Sequence, residues 1–116
     1  TAYVGMCELQ ILDDSSPKYA TLDPRQYCGS IYGVIASQRG YLRPVGEWNT
    51  EHITVRGSTI TVELNVTIIV NADVSKVTEY MAKSAHPGIT RTTGFFGFAG
   101  HNDPVRYRNI RIKKLH

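Results

Sequence analysis

Apolar and polar residues alternate most strictly in the middle of the chain. Over residues 53–64, apolar positions alternate with polar ones on both sides of the pair Gly57-Ser58. A period of two residues is typical of antiparallel strands that bury one face, and a glycine-containing pair is typical of the tight turn between them. The pattern therefore predicts a β-hairpin, followed by a return strand at residues 67–71.

The second turn of this region has an unusual residue for its position. Asn65 begins the turn, but Val66 stands where glycine would be expected after asparagine. A β-branched residue tolerates positive φ poorly. This turn is therefore predicted to be either of another type or strained.

Four further segments have short apolar runs bounded by turn residues, which brings the predicted total to about seven strands. These segments are residues 4–12, 29–36, 93–99 and 104–113, with Ile110 and Ile112 of the last turned inward. Residues 73–83 are the one weakly helical stretch. Many short strands joined by loops predict an all-β fold, an antiparallel β-sandwich or jelly roll.

Composition indicates a single folded domain over residues 1–116. Hydrophobic residues make up 41 % of the chain and charged residues 20 %, which is enough apolar material for a core. The net charge of +3 is too small to imply a nucleic-acid partner. No apolar run approaches the ~18 residues of a membrane-spanning helix, so no membrane span is expected. Because the chain begins with Thr1, we expect a processed, tag-cleaved or truncated protein.

The cysteine and histidine content predicts no cofactor or metal site. The two cysteines, Cys7 and Cys28, could form one disulfide in an oxidising compartment, but geometry decides that. We expect both to be small buried residues. The four histidines show no zinc-type spacing with each other or with the cysteines.

The order of six motifs resembles that of the 3-keto-disaccharide hydrolase domain family. The motifs are Glu8-Leu-Gln-Ile-Leu-Asp13, Gly29-Ser-Ile-Tyr-Gly33, Gly46-Glu-Trp-Asn49, the hairpin at 53–64, Gly94-Phe-Phe-Gly97, and a closing segment at 101–113. The resemblance covers nearly the whole chain and matches the C-terminal two-thirds of a family domain. It implies a concanavalin A-like jelly roll that lacks its first strands, exported to the periplasm or cell surface of a bacterium.

The resemblance also implies a reaction on glycosides that carry a ketone at sugar carbon 3. The ketone acidifies the hydrogen on carbon 2, so a base can remove it, the glycosidic oxygen leaves by elimination, and water adds back. Such a site needs a base, an acid and a donor for the ketone oxygen. Glu8 is the candidate base and His101 the candidate acid or base. From the residues alone, a solvent face is the favoured position for Glu8, and His101 could equally lie in an exposed loop.

Four other residues are candidates for binding the carbohydrate. Gln10 shares a strand face with Glu8, Asp13 would lie at the rim of the cleft, Tyr32 offers a ring with a hydroxyl, and Arg108 offers five donors. Each also has a plain structural explanation, such as a turn-capping carboxylate for Asp13. We predict that Glu8, Gln10 and Arg108 point into one groove.

Two other functions fit the same scaffold. One is a carbohydrate-binding module without catalysis, and the other is a truncated domain that folds with a partner chain. Because the resemblance begins in mid-domain, we expect the chain to form a homodimer or to receive completing strands from a partner. Trp48 is expected to plug one end of the sandwich rather than to stack on a sugar.

Overall fold

The computed structural model of the chain describes residues 2–115 and is built around one antiparallel sheet. Its strands are β1 (Glu51–Arg56), β2 (Thr59–Leu64) and β3 (Thr67–Asp73), paired in the order β1-β2-β3. The predicted hairpin and its return strand are thus confirmed, and the all-β class with them. The two partner strands of β2 satisfy its backbone on both edges.

Helical structure is confined to single turns. The chain opens with a one-turn α-helix, α1 (Ala2–Gly5). Five 3-10 turns follow, at Pro17–Tyr19, Pro24–Gln26, Val74–Lys76, Met81–Lys83 and Pro87–Thr90. Two of them lie in the segment that the sequence marks as weakly helical, residues 73–83.

The core lies on one face of the sheet. Alternate residues of β2 are buried, and a bulge between Val62 and Glu63 lets consecutive residues Ile69 and Val70 of β3 both become buried. The buried cluster consists of Ile31, Val34, Ile60, Val62, Leu64, Ile69, Val70 and Val74. The segment around Ile31 therefore covers the sheet.

The two strands predicted at residues 4–12 and 29–36 are wrong as extended strands. Only the antiparallel bridges between Leu9 and Ile31 and between Ile31 and Ile35 remain. Positive φ at Gly29 and Gly33 turns the backbone and ends the pairing. A Cβ at Gly33 would lie 2.7 Å from Cε1 of His86, so this position requires glycine for space as well.

The strands predicted at residues 93–99 and 104–113 are also wrong. Residues 91–115 contain no helix or strand. Ile110 and Ile112, predicted to face inward, are exposed. The described chain provides no neighbouring strand for this segment, and a strand needs one to satisfy its backbone groups.

The turn between β2 and β3 is strained, which is the second of the two alternatives that the sequence left open. Asn65 and Val66 both have positive φ, at 48° and 74°. This is the pattern of a type I′ turn, which matches the twist of the hairpin. The Asn65 side chain stabilises the turn, because its Nδ2 donates to the Tyr41 carbonyl and to Oδ1 of Asn49, each at 2.8 Å.

The cysteines are free thiols in different surroundings. Cys28 is buried as expected, but Cys7 is exposed, so that prediction is wrong. Burial raises the pKa of the Cys28 thiol to about 12. Across residues 2–115, no helix is long and apolar enough to cross a membrane.

Candidate functional site

The Leu9–Ile31 bridge positions Glu8 and Tyr32 side by side. The Tyr32 backbone N–H donates to the Glu8 carbonyl at 2.9 Å. Ile31 belongs to the buried core and Leu9 packs against it, so the bridge is anchored to the core. Two residues predicted to act on the sugar are therefore neighbours through backbone pairing.

Glu8 and His101 lie within electrostatic range of each other. Burial raises the pKa of the Glu8 carboxyl, and the charge of His101 acts in the opposite direction. The two residues are far apart in the sequence, so this proximity depends on how residues 91–115 cross the molecule. A partly desolvated carboxylate holds a proton more readily than a solvated one, and a carboxyl or an imidazole can act as a general acid or base.

A short chain of hydrogen bonds fixes the polar residues beside Glu8. Nε2 of Gln10 donates to the Gln26 carbonyl at 3.1 Å, and Nε2 of Gln26 donates to the Tyr32 hydroxyl at 2.9 Å. The Gln26 side chain also closes a capping box with Asp23 at the turn Pro24–Gln26. The amide nitrogen of Gln10 therefore supports the loop that orients the Tyr32 ring.

Asp13 lies in a different place from Glu8. Its Oδ1 accepts from the Ser15 backbone N–H at 3.0 Å and from the Ser15 hydroxyl at 2.5 Å, which caps a turn. The same residue lines an open groove of about 550 Å³ between residues 13–15 and 39–45. Glu8 and His101 are not among the groove's lining residues.

Arg108 is placed against an aromatic ring. Its guanidinium carbon lies 4.0 Å from the centre of the Trp48 ring, a cation–π arrangement. Trp48 is partly exposed and does not plug a sandwich end, contrary to expectation. The shared groove of Glu8, Gln10 and Arg108 stays a prediction.

Glu51 is a chemically distinctive residue that the sequence interpretation did not single out. Its Oε1 atom is buried and has no hydrogen-bond partner among the described residues, and burial raises the carboxyl pKa to about 6. Burial raises the pKa of the Tyr107 hydroxyl, and the charge of Glu51 raises it further. The hairpin pattern could have identified Glu51, because this residue alternates in step with Ile53 and Val55 and so lies on the inner face of the sheet.

The described residues offer no clear place for a metal ion. Within residues 2–115, no group of three or more His, Cys, Asp or Glu side chains is arranged to hold one. The side chains of Glu8 and His101 can transfer protons and form hydrogen bonds.

A carboxyl and an imidazole within electrostatic range fit a site for acid–base chemistry, and the all-β scaffold alone does not identify a substrate. Comparison with known proteins gives the family. The profile of the 3-keto-alpha-glucoside-1,2-lyase-like domain matches residues 1–113, and the chain belongs to this family. The resemblance inferred from the six motifs is confirmed.

Two relatives are considerably longer than this chain. A 3-keto-disaccharide hydrolase from Bacteroides thetaiotaomicron is 26 % identical over 132 aligned positions, which cover 97 % of this chain and 45 % of that protein. A crystal structure from Parabacteroides distasonis ATCC 8503, whose name assigns it to the glycosyl hydrolases, is 36 % identical with a TM-score of 0.54. That match covers 57 % of this chain and 34 % of the other. The chain thus spans less than half the length of either relative.

Proposed function

We propose that residues 1–116 form one glycoside-cleaving domain that acts on 3-keto-glycosides by elimination and hydration. Family membership supports the substrate class. The observations that support the assignment to particular residues are the backbone hydrogen bond of 2.9 Å that sets Tyr32 beside Glu8, and the electrostatic range between Glu8 and His101. A carbohydrate-binding module would not need this pair.

In the proposed reaction, Glu8 removes the proton from carbon 2 of the oxidised sugar. The electron pair of that C–H bond forms a double bond between carbons 1 and 2, and the bond from carbon 1 to the glycosidic oxygen breaks. His101 supplies the proton that the leaving oxygen takes up. Water then adds across the double bond, returning a proton to carbon 2 and placing a hydroxyl on carbon 1, so the net reaction is hydrolysis.

The remaining predicted residues would bind the substrate. Tyr32 would present its ring and hydroxyl to the sugar beside Glu8, and Gln10 would hold the loop behind it. Arg108 would polarise the ketone oxygen, which needs a fixed donor as negative charge develops there. Its stacking on Trp48 restricts the guanidinium in support of that role.

Replacing the base tests the proposal. Incubation of the wild type with a 3-keto-disaccharide is expected to release free sugar, measured by chromatography. Glu8→Gln keeps the shape but cannot accept the proton, so turnover should fall by about 10²–10⁴-fold, the usual contribution of a general base. Glu63→Gln, on the outward face of β2, is the matched control and should keep wild-type turnover.

The outcomes separate the alternatives. Equal turnover by Glu8→Gln and the wild type would remove Glu8 from the mechanism. A wild type that binds the disaccharide without releasing sugar would instead indicate a binding module.

We further propose that a second copy completes the fold toward the family's jelly roll. β1 is an edge strand of the described sheet, and its inner-face residue Val55 is 57 % exposed. An unpaired edge with an apolar face pairs readily with another strand. Light scattering is expected to give the mass of a dimer, and a monodisperse monomer at micromolar concentration would contradict the proposal. Export in a bacterium is proposed from family membership alone.

A further inference from the structure

An open groove between residues 13–15 and 39–45 combines charged and apolar side chains. Its volume of about 550 Å³ falls within the usual range for small-molecule sites. Four charged residues line it, namely Asp13, Asp14, Arg39 and Arg43. Apolar side chains from Leu42, Pro44 and Val45 complete the wall. Polar groups beside an apolar surface are what a sugar ring with hydroxyl edges and C–H faces requires.

The walls of the groove are held by hydrogen bonds from outside it. Oδ1 of Asp14 accepts from the Cys28 backbone N–H at 2.8 Å. On the other wall, the Arg43 backbone N–H donates to Oδ1 of Asn49 at 2.8 Å, and Nη1 of Arg43 donates to the Trp48 carbonyl at 3.2 Å. The groove is therefore formed before any ligand binds, which lowers the entropic cost of binding.

The charged groups in the groove do not neutralise one another by direct contact. The close ion pairs found among residues 2–115 all lie elsewhere in the molecule. The Arg39 guanidinium instead stacks 3.5 Å from the centre of the Tyr27 ring. Carboxylate acceptors and guanidinium donors remain side by side, with two negative and two positive groups balancing to zero. This balance favours a neutral ligand that both donates and accepts hydrogen bonds.

We propose that this groove is a second carbohydrate subsite, which binds a non-reacting sugar ring of a substrate with at least two rings. The inference rests on the proposed function, since it assigns the reacting ring to Glu8 and His101. Asp13 is five positions after Glu8, so their Cα atoms are at most ~18 Å apart. One oligosaccharide can therefore reach both places.

Binding of unoxidised sugars tests the groove without requiring turnover. The probes are maltose, an α-glucoside with two rings, and methyl α-glucoside, with one. In an NMR titration of the full chain, maltose is expected to shift the amide signals of residues 13–15 and 39–45 and to bind at least about tenfold more tightly than methyl α-glucoside, a difference of about 1.4 kcal/mol.

Two variants remove groove chemistry while preserving local structure. Asp13→Asn keeps an oxygen for the Ser15 turn, and Arg39→Met keeps a long side chain over Tyr27. Each is expected to weaken maltose binding by about tenfold, as removal of one charged hydrogen bond would. Glu63→Gln is the control and should bind both probes as the wild type does.

The outcomes distinguish this proposal from the catalytic one. Shifted amide signals of the groove residues, together with weaker maltose binding by the variants, support the subsite even if a 3-keto-disaccharide is not cleaved. If the disaccharide is cleaved but maltose binds no better than methyl α-glucoside and leaves the groove signals unmoved, the subsite is wrong and the catalytic proposal stands. A dispersed spectrum of each variant confirms that it is folded.

Discussion

The sheet at residues 51–73 and the C-terminal segment at residues 91–115 carry similar patterns but adopt different structures. Both contain alternating apolar residues with β-branched side chains. In the sheet, Ile69 is 3 % exposed, whereas Ile112 of the segment is 73 % exposed. The same side chain is therefore buried in one region and solvated in the other.

The difference arises from neighbours rather than from the pattern itself. β2 has a strand on each side and the Ile31 segment across its face, so its backbone and its side chains are both satisfied. The C-terminal segment has no paired strand in the described chain. Alternation determines which residues share a face, but a strand also needs a partner with free backbone groups.

β1 is intermediate between these two cases. It pairs with β2 on one edge only, and its inner-face residues Ile53 and Val55 are only partly covered. Pairing on one edge is enough to form the strand, but not enough to bury its face. The degree of burial therefore follows the number of neighbours along the series from β2 through β1 to the C-terminal segment.

The largest expected effect contrasts the two isoleucines. Ile69→Ala leaves a cavity in the core and should lower the free energy of unfolding by about 2–5 kcal/mol. Ile112→Ala removes only solvated surface and should change it by no more than about 0.5 kcal/mol. Urea unfolding followed by fluorescence measures both on the same scale.

An equally large loss for Ile112→Ala would break the comparison. It would show that the C-terminal segment is buried in solution, as it would be in a strand-completed assembly. Repeating the measurement at several protein concentrations then identifies an intermolecular contact, since the stability of an assembly depends on concentration.

The fold was predictable where the sequence pattern and the partner lie close together in the chain. The β1–β2–β3 meander needs only tight turns, and its alternation was sufficient to predict it. The strands at 4–12 and 104–113 were not formed because their pairing depends on distant or absent neighbours. Gly29 and Gly33 also interrupt pairing through positive φ, which a glycine permits but does not require.

The candidate site was predictable in part for the same reason. Period two on one segment suggested Glu8 and Gln10, but nothing local showed that His101 would lie within electrostatic range of Glu8. Asp13 was expected at the rim of the cleft that holds Glu8, and it lines a groove whose lining does not include Glu8. Glu51 was missed because the predicted hairpin began at residue 53, although the strand extends to Glu51 and pairs it with Leu64 on the inner face.

The second prediction concerns Glu51 of the sheet, whose charge acts on the Tyr107 hydroxyl of the C-terminal segment. The folded-state pKa of about 6 is higher than the ordinary value of 4.5, so the folded state retains this proton at higher pH than the unfolded state does. Stability should therefore fall as pH rises from about 4.5 to 6 and then level off. A shift of this size corresponds to about 2 kcal/mol.

Glu51→Gln removes the ionisable group and should flatten this part of the pH profile. At pH 7 the variant is expected to be more stable than the wild type by up to about 2 kcal/mol, because the unpaired buried charge is gone. Glu63→Gln is the control on the same sheet and should retain the wild-type profile. A wild-type stability that does not change between pH 4.5 and 7 would show that Glu51 is solvated.

The smallest expected effect lies in the turn that joins β2 to β3. Val66 has φ of 74° and is 89 % exposed, so its side chain adds strain and contributes little packing. Val66→Gly creates the Asn-Gly pair that a type I′ turn prefers. The substitution relieves the strain of a β-branched residue at positive φ, but it also gives the unfolded chain more freedom. The net effect should be a rise of about 1 kcal/mol in the free energy of unfolding. Val45→Gly is the control, since Val45 is also exposed but does not have positive φ, and it should be neutral or slightly destabilising. If Val66→Gly destabilises the protein as much as Val45→Gly does, the turn is not strained, and the exposed Val66 side chain must instead be covered in solution. Because Val66 lies in the turn between β2 and β3, such a result in thermal unfolding would place the covering contact on the sheet and not on the C-terminal segment.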